Sequence, residues 1–307
     1  MSAPGFAPAI GVQPKSILVP TDFTAASEKA LRHAVAIARF YGSRLYSIHV
    51  VNGPPPGNPA PSEATTRLAL RNARAAERKL IESGALAGLR HEVIIRDGDT
   101  WKQIEDIIQR QHIDLVVVGE GSGTASSGFV LGSVAEQIFR EASCPVLTFG
   151  PRAHVDDSAV APGDLRPILF PTDFGARSLQ ALPYALSCAE RRETRAILFH
   201  ALSAIPEGLE NGGYAAEEVV TMRKAARAAA VKRLRALIPP SFSGIESVCV
   251  AEFGEPSKWI LHCAEELNAE LIIMGLNHDT LQEDPAASIA YRIVCGAPCP
   301  VMTVRPI

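Results

Sequence analysis

The chain has 307 residues, 47% of them hydrophobic, and a formal net charge of −3 at pH 7. That length accommodates two domains of about 150 residues, each with enough apolar side chains for its own core. The mixed charges argue against broad electrostatic binding to nucleic acid or an anionic membrane, and no apolar run reaches the roughly 18 residues that span a bilayer. Residues 1–15 (MSAPGFAPAIGVQPK) lack the positive start and long apolar core of a signal peptide and read as a loose tail. The six cysteines sit mostly in apolar segments, as small core residues do, and point to a reducing cytoplasm.

From there the pattern alternates. Ser16–Val19 is a short apolar strand ended by Pro20, and 25–41 is helical, with Leu31, Ala34, Val35 and Ala38 on one stripe. Leu45–Val51 is a strand, and the Pro-rich run 52–61 an exposed loop. A helix rich in Arg and Lys follows over 63–83, then a strand over 91–96. The helix 100–111 turns Trp101, Ile104, Ile107 and Ile108 inward, and a strand follows over 114–119. The segment 119–133 is a loop rich in glycine and serine, 133–141 a helix, and 144–149 the last strand.

The same series then recurs. SILVPTDFTAAS (16–27) matches PILFPTDFGARS (167–178), and RLYSIHV (44–50) matches RAILFHA (195–201). IDLVVVGE (113–120) matches AELIIMGL (269–276), and GSVAEQIFREASCPVLT (132–148) matches ASIAYRIVCGAPCPVMT (287–303). The offset drifts only from 151 to 156 residues, so one domain is duplicated. The first copy spans 16–149, a linker rich in Pro, Asp and Ala spans 150–166, and the second copy spans 167–307, with helices near 175–191, 215–237, 256–268 and 286–296. Strands joined by helices imply parallel pairing with right-handed crossovers. The near-continuous apolar strands fit sheets covered on both faces. The fold class is therefore α/β, as two tandem doubly wound parallel five-stranded sheets.

In such sheets ligands sit beyond the carboxyl ends of the strands, where the strand order switches. The loop 119–133 lies there, ahead of a helix whose first N–H groups lack partners and carry the positive end of the helix dipole. Gly119, Gly121, Gly123, Gly128 and Gly132 let the backbone approach a ligand, and Ser122 and Ser133 are among the serines that add hydroxyls. The alternative is a plain connecting loop with glycine turns. No lysine lies in the loop, so it is not a P-loop, and the glycine spacing does not fit the dinucleotide fingerprint.

ILVPTDF, SIHV, DLVVVG and GSVAEQIF with CPVL, in this order, resemble the universal stress proteins, here in tandem, with the adenine nucleotide alpha hydrolase-like fold. The resemblance covers roughly 16–149 and 167–305. Nucleotide-binding members carry Gly, two residues, Gly, nine residues, Gly, Ser/Thr. Gly119, Ser122, Gly132 and Ser133 fall on those positions, with Ser122 replacing the second glycine. The resemblance implies that the first copy binds ATP, or AMP or ADP, with Mg²⁺ as an accompanying ion. Pro20, Thr21 and Asp22 would meet the base, Asp22 by accepting a hydrogen bond. For Asp22 the competing role is to cap the following helix, with Thr24 also available. Val50 would be an apolar wall for the base. Val118 and Gly119 would meet the ribose and first phosphate, and Gly132, Ser133 and Val134 the distal phosphates. The resemblance also implies an intramolecular pseudo-dimer paired through the final strands, with a homodimer of chains left open.

In the second copy, Gly275 is kept, but His278 and Ala287 stand at glycine positions, and Asp279, Glu283 and Asp284 lie where phosphates would go. Carboxylates repel a triphosphate, so this copy is expected not to bind ATP, with Pro171, Asp173 and Ser288 as relics. His49 and His200 end the second strand of each copy and could bond a loop or a ligand. The spacing of Cys295 and Cys299 does not favour zinc, and the basic face Arg67, Arg71, Arg74 and Arg78 reads as solvated. No Ser-His-Asp order and no lysine for phosphoryl transfer stands near the loop. The expected role is regulatory, in a stress response. A nucleotide-free interaction protein and a slow ATPase are the alternatives.

Overall fold

The computed structural model describes residues 13–52, 63–119, 131–153, 167–191, 194–203, 216–276 and 288–305. The chain divides into two compact units, one within residues 13–161 and the other within 162–306.

In the first unit the strands are β1 (Ser16–Pro20), β2 (Arg44–Asn52), β3 (His91–Gly98), β4 (Leu115–Val118) and β5 (Val146–Thr148). The helices are α1 (Ala25–Tyr41), α2 (Glu63–Glu82), α3 (Thr100–Arg110) and α4 (Ser133–Glu141). The strands run parallel in the order β3-β2-β1-β4-β5. The chain turns to one side of β1 for β2 and to the other for β4. The carboxyl ends of β1 and β4 therefore flank the switch in strand order.

Ile17, Leu18 and Val19 of β1 and Val116 and Val117 of β4 have no exposed surface, because helices cover both faces. The expected stripe of α1, Leu31, Ala34, Val35 and Ala38, is buried. Ile104, Ile107 and Ile108 of α3 are buried as well, whereas Trp101, in the first turn, is only half-buried. The basic helix α2 buries Ala73 alone; Arg67 pairs with Glu63 one turn away, both highly exposed. After β5, the Phe149 ring stacks on His33 of α1 at 4.4 Å, and Lys29 donates to the Ala153 carbonyl.

The second unit repeats the plan. Its strands are β6 (Ile168–Pro171), β7 (Ala196–Leu202), β8 (Ser247–Phe253), β9 (Leu271–Gly275) and β10 (Val301–Val304). All pair in parallel, in the order β10-β9-β6-β7-β8. Its helices are α5 (Ala176–Leu179), α6 (Leu182–Arg191), α7 (Ala216–Arg235), α8 (Pro256–Glu266) and α9 (Ile289–Gly296).

One expectation is corrected here. The continuous helix read over 175–191 is broken in two at Gln180 and Ala181. Pro183 is the cause: it has no N–H to return to the Leu179 carbonyl, and its ring crowds the preceding turn. The chain tightens instead, with Ala181 donating to Ser178.

None of the six cysteines is in a disulfide; Cys144, Cys263, Cys295 and Cys299 are buried, Cys188 and Cys249 half-buried. Burial pushes the Cys263 thiol up to about 11, with Glu252 adding to the shift. Burial likewise takes Cys299 to about 12. Among the described residues no cluster of three metal-ligating side chains occurs, and no helix is long and apolar enough to cross a membrane.

Candidate nucleotide site at the switch in strand order

At the end of β1, Thr21 donates its N–H to Ile48, which prolongs the β1–β2 pairing by one residue. Thr21 is buried, and its hydroxyl accepts from Phe23 N–H at 3.0 Å and meets the Ser27 hydroxyl at 3.1 Å. Phe23 takes the left-handed conformation, with φ of 61°. For a non-glycine residue such a backbone costs on the order of 1–3 kcal/mol and persists only where its surroundings enforce it.

Thr24 is the N-cap of α1, and its side chain accepts from Ser27 N–H. Asp22 stands one step further out, where its Oδ1 accepts from both the N–H (3.0 Å) and the hydroxyl (2.6 Å) of Thr24. Asp22 thus orients the residue that caps the helix. Partial burial raises its pKa, but hydrogen bonds from Thr24 and Ser27 outweigh that and hold the carboxyl below its ordinary 3.8. A depressed folded value means that the stabilisation is complete above 3.8 and is lost as pH falls below it, through the folded value. Wild type is therefore expected to lose stability relative to Asp22→Asn as urea unfolding is followed from pH 5 to 3, and parallel curves would remove this role.

Pro20 and Val50 are half-buried and can offer an apolar edge. Val118 is 3% exposed, so little of it is open to a ligand. Gly119 follows β4, and the reason for its glycine is a packing one. A Cβ there would lie 2.7 Å from the carbonyl oxygen of Ala26, in the first turn of α1. Gly275 has the same duty in the second unit, where a Cβ would meet the Arg177 carbonyl and the Ser178 Cα. Its retention there reflects helix packing rather than a remnant of ligand binding. Ser122, His278, Asp279, Glu283, Asp284 and Ala287 lie outside the described residues.

The far side of the site is the start of α4. Gly132 is its N-cap, with φ of −62° and ψ of 153°, and has no side chain to cap with. The first helical bond runs from Glu136 N–H to the Gly132 carbonyl. Among the described residues nothing accepts from the N–H groups of Ser133, Val134 and Ala135. Ser133 is exposed, while Gly132 and Val134 are half-buried.

The matching helix α9 differs. It starts one residue later in the repeat, with Arg292 N–H donating to the Ser288 carbonyl. Ser288, the counterpart of Ser133, becomes the N-cap, and its hydroxyl accepts from Tyr291 N–H at 3.0 Å. The second helix start caps itself; the first does not. Ser288→Ala is expected to cost about 0.5–2 kcal/mol of stability, read from urea unfolding; a change within error would remove this capping role.

The geometry places an α/β switch point beside an uncapped helix N-terminus, and comparisons with known proteins identify the chain that carries it. The profile of the universal stress protein family matches residues 14–149 and again 165–305. The chain therefore belongs to the universal stress protein family, with two family domains in tandem. It is 31% identical over 136 residues to a universal stress protein of Methanocaldococcus jannaschii, a match covering 43% of this chain and 80% of that one. A Thermus aquaticus universal stress protein is 33% identical over 137 residues, covering 43% and 96%. Among solved structures, a universal stress protein of Archaeoglobus fulgidus overlays with a TM-score of 0.66 at 19% identity, covering 95% of this chain and 99% of that one.

Proposed function

We propose that the first half binds ATP or a related adenine nucleotide and that occupancy sets a regulatory state of the chain. The observation that carries this reading is the uncapped start of α4. Three N–H groups without acceptors among the described residues, at the positive end of a nine-residue helix, suit a polyanion. Gly132, Ser133 and Val134 are assigned to the distal phosphates, and the Val118–Gly119 backbone to the ribose and first phosphate. Pro20, Thr21, Asp22 and Val50 are assigned to the base. Ser122 joins the phosphate set through its N–H or hydroxyl. The self-capped start of α9 supports binding by the first half alone.

The test is mass spectrometry of nucleotide carried through purification, followed by calorimetric titration with ATP. One adenine nucleotide per chain is expected. No retained nucleotide and no heat would replace this reading with an interaction protein that works without nucleotide. Release of phosphate well above a Gly132→Asp control would make the protein an ATPase.

A further inference from the structure

We propose that His49 is the positioning residue for the base end of the site. This deepens the nucleotide reading and rests on it. The imidazole Nδ1 lies 2.8 Å from the Thr21 carbonyl. A carbonyl only accepts, so Nδ1 carries the proton and donates. The same ring packs against Phe23, with centroids 4.8 Å apart. His49 therefore grips both residues flanking Asp22. It holds the Thr21 carbonyl from one side and supports the ring of a residue whose backbone is left-handed.

Every other polar handle of Thr21 is also engaged: its N–H by Ile48, its hydroxyl by Phe23 and Ser27. The bond from His49 removes the remaining freedom of that peptide. The Asp22 carboxylate is thereby aimed before any ligand arrives, which spares a ligand the cost of ordering the turn. The second half repeats the device. His200 Nδ1 lies 2.8 Å from the Thr172 carbonyl, Phe174 has φ of 62°, and the rings are 4.4 Å apart. The repeat supplies an internal control, since the nucleotide reading assigns no ligand to that half.

The experiment compares wild type, His49→Leu, His49→Asn and His200→Leu by ATP titration, thermal unfolding and amide hydrogen exchange at residues 21–23. Asparagine retains a donor near the Nδ1 position and loses the ring. His49→Leu is expected to bind ATP roughly tenfold more weakly, the size of one hydrogen bond, with faster exchange at residues 21–23. His49→Asn is expected within about threefold of wild type, and His200→Leu to lower the melting temperature with ATP affinity kept. Equal ATP affinity in His49→Leu and wild type overturns the proposal. So does His49→Asn as weak as His49→Leu, or an equal loss of affinity in His200→Leu. If His49→Leu does not fold, His49→Asn decides. Near-native affinity and exchange support the grip, and a folded His49→Asn with tenfold weaker binding overturns it. Failure of wild type itself to bind ATP sinks the nucleotide reading, a distinct result.

Discussion

Gly132→Asp is expected to destroy nucleotide binding while leaving the fold as stable as before, or slightly more so. Gly132 has φ of −62° and ψ of 153°, a conformation open to any residue. An aspartate there would accept from the N–H groups two or three residues on, as N-caps do. It would also place a negative charge at the positive end of α4. Relative to glycine these effects stabilise the helix by a few tenths to about 1 kcal/mol. For a phosphate they remove the donors and add repulsion. The loss is on the order of 2–3 kcal/mol, or roughly 30- to 150-fold in affinity. Calorimetry and urea unfolding on one preparation would show the opposed signs. Binding retained by a folded Gly132→Asp would dismiss the start of α4 as the phosphate anchor.

Gly119→Ala is the second large effect, and it acts on the fold. The added methyl would sit 2.7 Å from the Ala26 carbonyl oxygen, and this contact is with backbone, which cannot swing aside. Overpacking of this kind costs about 1–3 kcal/mol, because α1 and the end of β4 must separate. Gly275→Ala meets backbone atoms of Arg177 and Ser178 and should cost at least as much. Urea midpoints give the result, with the unfolding slope unchanged. An unshifted midpoint for both variants would show that the two elements have room to move. Because Gly119 also borders the proposed site, weaker ATP binding in Gly119→Ala would reflect displacement of β4 as well as any lost ligand contact.

The two glycines also mark the boundary of what residue types alone disclose. The duplication, the βα alternation and the strand cores were readable because apolar periodicity and repeated motifs report directly on burial. The stripe of α1 and the extent of α4 follow from that pattern. The reason for Gly119 does not, since a glycine that admits a ligand and one that admits a helix carbonyl look alike in sequence. Ser133 and Ser288 make the same point. Repeat alignment makes them equivalent, yet a one-residue difference in helix start makes one the first helical residue and the other a cap. The interlock of Thr21, Thr24 and Ser27 with Asp22 and His49 was signalled only by the recurrence of Thr172, Ser178 and His200 in the second half. Residue identity offered several partners for each, and only coordinates choose among them. Pro183 shows the opposite failure: the sequence held the helix breaker in plain view, and the apolar periodicity around it masked the break.

The raised thiols bear on chemical durability. Sulfur reacts with peroxides and electrophiles as thiolate, and at neutral pH Cys263 and Cys299 are almost wholly protonated and out of reach. Burial raises the half-buried Cys249 thiol as well, against the pull of Arg235, so an oxidising burst finds none of these three sulfurs as a ready thiolate.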